Sequence, residues 1–201
     1  MNNGTVVGDA GLVLRTTDGG KNWSTQSQLQ TDWLSGVSLS KAGTGTAVGS
    51  LGAILGTTDG GSTWTPQTAT TKTPLYTVAF VDATKGSAAG EGGWMFNTTD
   101  GGLTWSPQAR MPTQNLRGMS FTSNNIGVAI GDQGTIMRTT NGGSSWDDRS
   151  IPSTSSASFW FSGASFNSAG VGVIVGKLDT LVGAQSYETR SAIFRSVDGG
   201  V

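Results

Sequence analysis

The sequence contains no cysteine and no histidine. The absence of thiols excludes a disulfide framework and a thiolate nucleophile. The absence of imidazole excludes a Ser-His-Asp triad, a histidine zinc site and a histidine general base. We therefore expect neither a metal site nor a cofactor, and an enzymatic function would need paired carboxylates or another nucleophile with its base.

Charged residues are also scarce, at 12% of the 201 residues, about half of the roughly 25% usual in soluble domains. The net charge of −1 offers no electrostatic footprint for nucleic acid, and no basic run favours an anionic membrane surface. The sequence has no apolar run near the length of a membrane span and no signal peptide at its start, so we expect no membrane insertion. Ser, Thr, Gly and Asn replace the charged residues, which favours an extracytoplasmic or virion surface as the location.

What the sequence does contain is a repeat. The motif T-T-D-G-G-K-N-W, which begins at Thr16, returns three more times at a spacing of 41 residues, and a fifth copy begins at Ser196. Its aspartate (or asparagine) and tryptophan positions are Asp18, Trp23, Asp59, Trp64, Asp100, Trp105, Asn141, Trp146 and Asp198. This period is typical of a propeller blade.

Each residue of the motif has a local structural role. The aspartate is expected to accept hydrogen bonds from backbone N–H groups one or two residues ahead, while the two glycines accept the positive φ of a tight turn. Asn141 can accept the same hydrogen bonds without a charge. The tryptophan opens the next strand and supplies apolar area that holds the turn to the blade. We therefore expect all these positions to be structural.

Superposing the repeats predicts four strands per unit and no helix. A glycine-bounded strand B, first seen at Gly4–Gly8, precedes an apolar strand C at Leu12–Thr16. Strand D opens at Trp23 and is the outer edge, because prolines interrupt it in two copies. Strand A follows at Leu34–Leu39, with a small residue where blades crowd together.

These strands predict an all-β fold, a β-propeller of four-stranded antiparallel blades with about five blades present and both ends cut mid-blade. We expect a single domain over residues 1–201. Its repeat units cover about 4–44, 45–85, 86–126, 127–171 and 172–201.

The motif matches S/T-x-D-x-G-x-x-W, which is the Asp-box or BNR repeat. Between boxes, G-T-A-V-G-S-L-G-A-I-L-G-T-T-D-G-G from Gly45 resembles the photosystem II stability and assembly factor group of Asp-box propellers. That resemblance implies a non-catalytic scaffold for protein–protein interaction or assembly. Sialidases, xyloglucan-cleaving hydrolases and sorting receptors also carry Asp boxes, so the motif predicts the fold rather than the function.

A sialidase-like site would need three arginines around a carboxylate and a Tyr–Glu nucleophile pair. The sequence offers Arg110, Arg117 and Arg190, with Tyr187 beside Glu188, but adjacent residues of a strand point in opposite directions. The chain is also too short for the two-domain cleft of the xyloglucan hydrolases. We therefore expect no enzyme.

Loop residues fall on two rims. On the Asp-box rim, the position before the box holds Arg15, Arg138 and Arg195, which either form a patch for an anion or a protein or pair locally. On the other rim, the first residue of the B–C turn is Asp9, Ser50, Glu91 or Asp132. These carboxylates either form a partial acidic ring that holds a cation or stand in water as ordinary turn residues.

The repeat is broken twice, both times on the second rim. Four extra residues fall in the D–A loop at 151–157, and 12 extra residues enlarge the last B–C turn at about 177–190. Repeat scaffolds collect insertions on the binding face, although terminal loops can instead cap an open edge. The candidate contact residues are Phe159, Trp160, Tyr187, Glu188 and Arg190, with Asp9, Glu91 and Asp132 on the same rim.

These residues supply aromatic area and orienting charges, which suit a protein partner or further copies of this chain. Glycan is the alternative partner. An aromatic-lined pocket on this rim would favour glycan, and a flat patch would favour protein.

Overall fold

The computed structural model describes residues 2–28, 33–40, 43–67, 71–108, 113–122, 125–182 and 186–197. Within these ranges the chain forms five antiparallel sheets, as the sequence predicts, and its helical content is limited to three-residue 3-10 turns. Sheet 1 holds β1 (Gly4–Val7), β2 (Leu12–Thr16) and β3 (Ser24–Gln28); sheet 2 holds β4 (Leu34–Leu39), β5 (Gly45–Gly49), β6 (Ile54–Thr57) and β7 (Thr65–Pro66). Sheet 3 holds β8 (Leu75–Phe80), β9 (Gly86–Gly90), β10 (Met95–Thr98) and β11 (Ser106–Pro107).

Sheet 4 holds β12 (Leu116–Phe121), β13 (Gly127–Gly131), β14 (Ile136–Thr139) and β15 (Asp147–Asp148); sheet 5 holds β16 (Ala157–Phe166), β17 (Gly172–Leu181) and β18 (Tyr187–Ser196). Every sheet is a meander in which consecutive strands are neighbours. The predicted strands A to D of each full unit are therefore confirmed. Strand D is the outer strand in sheets 2 to 4, where it is two residues long and begins after the box tryptophan rather than at it.

The first strands of neighbouring sheets approach closely, as the small residues in strand A predict. The register between β4 and β5 shifts between Leu34 and Gly36, and a Cβ at Gly36 would lie 3.1 Å from the Cα of Thr77 in β8. The backbone N–H of Phe80 also donates to Ser38 Oγ at 3.1 Å. Contact between these strands therefore joins sheet 2 to sheet 3.

The last glycine of the second strand is required by a different close approach. A Cβ at Gly49 would overlap the carbonyl oxygen of Trp33, just before the first strand of the sheet. Gly131 in sheet 4 has the same relation to the carbonyl oxygen of Asn115. The glycines that bound strand B therefore allow backbone to pass backbone.

The structure divides into two compact units. One comprises Met1–Gly90 with Met95–Gln108 and contains sheets 1 to 3, and the other comprises Glu91–Trp94 with Ala109–Val201 and contains sheets 4 and 5. A core cluster of the first unit is Val13, Leu34, Ala47, Leu55 and Trp64. A core cluster of the second unit is Val128, Ile130, Phe161, Phe166 and Ile174.

Sheet 5 corrects the prediction of an enlarged turn. Its three strands are ten residues long, and residues 177–181 of β17 pair with residues 187–191 of β18. Residues 157–160 of β16, at the end of the predicted D–A insertion, pair with residues 177–180. The inserted residues therefore lengthen three paired strands, because K-L-D-T-L alternates polar and apolar side chains as a strand does.

Among the described residues, none of the helical segments has the length and apolar character needed to cross a membrane.

Candidate binding surface

The Asp box is a self-contained turn built on a threonine hydroxyl. Thr16 Oγ1 donates to Asp18 Oδ1 at 2.8 Å and accepts from the N–H of Gly20 at 3.0 Å. Asp18 Oδ1 accepts from the N–H of Asn22 at 3.0 Å, and the indole N–H of Trp23 donates to the Gly20 carbonyl at 3.1 Å. The carboxylate therefore reaches four residues ahead rather than the expected one or two, because the intervening Gly20 N–H is bound by the threonine.

The other described boxes repeat this arrangement. Hydrogen bonds from Thr63 lower the pKa of Asp59 to about 2. In Asp100 burial opposes the shift, but hydrogen bonds led by those from Thr104 lower the pKa to about 2. Asn141 Oδ1 accepts from Thr139 Oγ1 and from the N–H of Ser145, both at 2.9 Å, so the predicted substitution of amide for carboxylate is confirmed. Asp198 lies outside the described residues.

The box tryptophans differ in burial. Trp64 and Trp105 are 6% and 4% exposed, whereas Trp23 is 44% exposed and Trp146 is half-buried. Trp64 shares its core cluster with Val13 of the preceding sheet. A box tryptophan is therefore well buried where an earlier sheet of its unit packs against it.

Arg15, the first of the arginines before a box, binds the backbone of the next box. Its Nε donates to the carbonyl of Gly60 at 3.1 Å. This arginine therefore has a structural partner, a carbonyl oxygen rather than the carboxylate considered above. Arg195, at the equivalent position of sheet 5, is exposed and lines a cavity.

On the second rim, Asp132 is buried in an ion pair. Arg117 donates Nε to Asp132 Oδ1 at 2.8 Å and Nη2 to Oδ2 at 2.9 Å, and Asn115 Nδ2 donates to Oδ2 at 2.8 Å. The Asp132 side chain is 9% exposed, so the expectation of a turn carboxylate standing in water is wrong at this position. The cause is the register that brings β12 beside the Asp132–Gly134 turn.

The other two carboxylates of the predicted acidic ring, Asp9 and Glu91, are exposed, and Asp9 lies in the first unit. Across the part of the chain that the structure describes, no three His, Cys, Asp or Glu side chains come close enough to hold a metal ion. The arrangement supports orienting roles for these carboxylates.

Trp160 stands on β16 among charged neighbours. Lys177 Nζ lies 5.5 Å from the centre of its ring and donates to Asp179 Oδ2 at 3.0 Å. Thr189 Oγ1 donates to Asp179 Oδ1 at 2.6 Å. These two hydrogen bonds, that of Thr189 first, lower the pKa of Asp179, and the indole N–H of Trp160 adds to the effect without forming a hydrogen bond of ordinary geometry.

The ion pair and the tryptophan share one cavity of about 430 Å³. Its lining residues are Arg117, Asp132, Trp160, Phe161, Ser162, Gly176 and Lys177. The cavity combines an indole face with two cations and one carboxylate, which suits a ligand that has both a flat or apolar part and hydrogen-bonding groups. We refer to this cavity and the paired ends of β16, β17 and β18 beyond it as the sheet 5 rim.

The remaining predicted contact residues divide into two groups. Tyr187 is 65% exposed, and Arg190 binds Glu188 at 2.9 Å on the same face of β18. Phe159 instead packs on the core, with its ring 6.0 Å from that of Phe161 and 5.5 Å from that of Phe194. The expected contact role of Phe159 is therefore replaced by packing, because its side chain points to the face of β16 opposite that of Trp160.

Sequence reasoning missed the partners that complete this surface. Lys177 and Asp179 were assigned to a loop, and Asn115 was not considered. Lys177 is the cross-strand neighbour of Trp160, and Asp179 lies two residues further along the same face. The alternation in β17 was the signal that could have identified them.

Four-stranded meanders joined by Asp-box turns define the class of this protein, an Asp-box or BNR β-propeller. It resembles the photosystem II assembly factors: a family model described as photosynthesis system II assembly factor YCF48 matches residues 108–189. A search of curated protein sequences finds no match.

Solved structures with similar folds include "YCF48 bound to D1 peptide", with 19% identity over 98% of this chain and 75% of that chain and a TM-score of 0.66. YCF48 from Cyanidioschyzon merolae has 20% identity over 99% of this chain and 79% of its own, with a TM-score of 0.64. An ancestral GH74 enzyme has 18% identity and a TM-score of 0.72, over 97% of this chain and 28% of its own. At these identities the likeness shows the fold alone.

Proposed function

We propose that this chain is a non-catalytic scaffold that binds a polypeptide partner through the sheet 5 rim. The observation that carries the proposal is the length of the strands in sheet 5. They are ten residues long, whereas the described strands of sheets 1 to 4 have two to six residues. Residues 177–181 and 187–191 therefore form a paired platform with no counterpart in the other described sheets.

The side chains of this rim suit protein recognition. Tyr187 is an exposed aromatic residue next to a fixed Glu188–Arg190 pair, and Trp160 lines a cavity at the base of the platform. Interfaces are enriched in tyrosine, tryptophan and arginine, which supply contact area at low entropic cost. A structure of the similar fold described as bound to D1 peptide supports a polypeptide as ligand.

The carboxylates of the rim support a non-catalytic role. Asp132 is bound by Arg117, Asp179 by Lys177 and Thr189, and Glu188 by Arg190. Glycosidases keep one carboxyl protonated and a second one poised across the scissile bond. Each rim carboxylate here is instead committed to a neighbouring cation, so these groups orient a ligand rather than exchange protons with it.

Glycan is the second candidate ligand, because Trp160 shares its cavity with Asp132 and Arg117. An indole face and paired polar groups suit a sugar ring. The other two aromatic residues of this part of β16 pack on the core, which leaves one aromatic platform. A single platform beside a long strand pair favours the polypeptide.

Two rim variants test the proposal. In the first, Gly-Gly replaces residues 179–189 and closes the hairpin at the Leu178–Arg190 pair, which the fold should tolerate. The second is Trp160→Ala. Leu103→Ser, in an Asp box and at 66% exposure, is the matched control.

Binding is measured against partners isolated from the native source, a peptide array and a glycan array. Both rim variants should bind the polypeptide partner at least about tenfold more weakly than wild type, as loss of a central aromatic contact does, while the control binds normally. Unchanged binding by the folded hairpin variant would contradict the proposal. Binding only to glycans, lost in Trp160→Ala, would favour the second candidate.

A further inference from the structure

A second cavity of the second unit lies at the other ends of the strands of sheet 5 and is independent of the rim. Its volume is about 270 Å³. Four apolar side chains and two arginines line it, namely Ile136, Phe166, Ile174, Phe194, Arg149 and Arg195. The proposed function uses none of these residues.

The surroundings of Trp64 explain what this cavity is shaped to hold. Ala47 and Leu55 are cross-strand partners in sheet 2 and share a core cluster with Trp64. Val13, from the third-repeat-position strand β2 of the preceding sheet, completes this cluster. Trp64 is only 6% exposed there.

The second cavity has the same three walls. Ile174 and Phe194 are cross-strand partners in sheet 5, at the places that Ala47 and Leu55 occupy in their strands. Ile136 lies in the third strand of the preceding sheet, at the place of Val13. The walls that enclose a box tryptophan in sheet 2 therefore recur around the cavity.

Phe166 supplies an independent indication. The phenylalanine at the end of the first strand contacts the box tryptophan in two other sheets: Phe80 lies 6.3 Å from Trp105, and Phe121 lies 6.0 Å from Trp146, between ring centres. Phe166 occupies the same strand end in sheet 5 and lines the cavity. An aromatic ring is therefore the expected neighbour of Phe166 as well.

The edge of β18 extends this match to the backbone. In sheet 2, the residues that follow the box tryptophan pair with the third strand, Thr65 with Gly56 and Pro66 with Leu55. In sheet 5 the corresponding residues are Phe194 and Arg195, and β18 is the last strand in the described order of its sheet. A segment whose aromatic ring entered the cavity could add to this edge as a short antiparallel strand.

We propose that the cavity and the adjoining edge of β18 form a docking site for an extended, tryptophan-bearing segment of another polypeptide. The indole enters the cavity against Phe166, Ile174 and Phe194, and the next two residues pair with Arg195 and Phe194. A dry cavity of about 150 Å³ holds a benzene ring, so about 270 Å³ accommodates the two fused rings of an indole.

The two arginines define which residues follow that tryptophan. Arg149 and Arg195 are both exposed and line the cavity with the apolar walls. Carboxylates immediately after the tryptophan would meet these cations, whereas lysine or arginine there would be repelled. The sequence W-D-D at residues 146–148 of this chain has that pattern and supplies a probe.

Fluorescence anisotropy of labelled peptides on the full chain tests the site. The peptide G-G-S-S-W-D-D, from residues 142–148, should bind saturably. Replacing its tryptophan by alanine should weaken binding at least about tenfold, since the indole supplies most of the buried area. Replacing both aspartates by asparagine should weaken it several-fold, in a salt-dependent manner. No binding at about 1 mM, or equal binding of the alanine peptide, would overturn the proposal.

Two chain variants locate the binding. Ile136→Phe narrows the cavity and should abolish peptide binding. Ile193→Ser changes a side chain that is 72% exposed between Ala192 and Phe194 and should bind as wild type does, because residue 193 points to the other face of β18. Thermal melting confirms that both variants fold. Loss of binding in Ile193→Ser with full binding in Ile136→Phe would overturn the assignment to this cavity.

Discussion

The unequal burial of the box tryptophans shows how much a neighbouring sheet contributes to stability. Trp23 and Trp64 occupy the same place in their boxes, and each donates its indole N–H to a box glycine, at 3.1 and 3.2 Å. Trp64 is 6% exposed and Trp23 is 44% exposed. Alanine at either position removes the same local hydrogen bond but a different amount of buried apolar surface.

The expected costs follow from that difference. A fully buried tryptophan covers up to about 250 Å², and at about 25 cal/mol per Å² its burial contributes at most about 6 kcal/mol. Truncation of such a residue in a core costs about 3–5 kcal/mol, which we expect for Trp64→Ala because the cluster with Val13 and Leu34 would be left with a cavity. Trp23→Ala opens no enclosed cavity and should cost about 1–2 kcal/mol.

Urea unfolding followed by far-UV circular dichroism measures both free energies of unfolding. The two residues lie in the same unit, so their effects appear in the same transition. The slope of the free energy against urea should stay constant, which shows that the variants change stability and not the unfolded state. Equal costs for the two substitutions, or a cost for Trp64→Ala below about 1 kcal/mol, would refute the argument from burial.

Two further predictions concern the glycines and the box carboxylates. Gly49→Ala should lower the free energy of unfolding by about 3 kcal/mol in urea titrations, since its Cβ overlaps the Trp33 carbonyl, whereas Gly8→Ala should be nearly neutral because no atom lies within 4 Å of its Cβ. In acid, the box carboxylates of Asp18, Asp59 and Asp100, with pKa values lowered from 3.8 to about 2, stabilise the fold above pH 3.8, and this stability is lost as the pH falls to about 2. Replacing all three by asparagine should flatten the dependence of thermal melting on pH in that window; an unchanged slope would contradict the assignment.

The fold could be predicted from the sequence because its information is local and repeated. Each box carries its own turn, and the glycines and prolines around it mark the ends and the edge of each sheet. Even Asn141 was predicted correctly, since an amide oxygen accepts the hydrogen bonds of the carboxylate it replaces. Four copies of one pattern leave few alternatives to a meander.

The candidate surface was harder to predict because it depends on register. Phe159 and Trp160 are adjacent and both aromatic, and only the pairing of β16 decides that the first packs on the core and the second lines the rim cavity. Arg117 and Asp132 meet across neighbouring elements, with 15 residues between their positions. A count of inserted residues located the surface without showing that it is built of strands.

The meander order of the strands also determines how the chain can acquire its structure during synthesis. Strands that are consecutive in sequence pair with each other, so each sheet can close soon after its last strand leaves the ribosome. Trp64 packs on Val13, which is made earlier, so the surface that receives each new sheet of the first unit already exists when that sheet appears. Folding can therefore advance from the amino terminus one sheet at a time, and a nascent chain of any length would expose only its newest sheet face to chaperones and to neighbouring ribosomes' products.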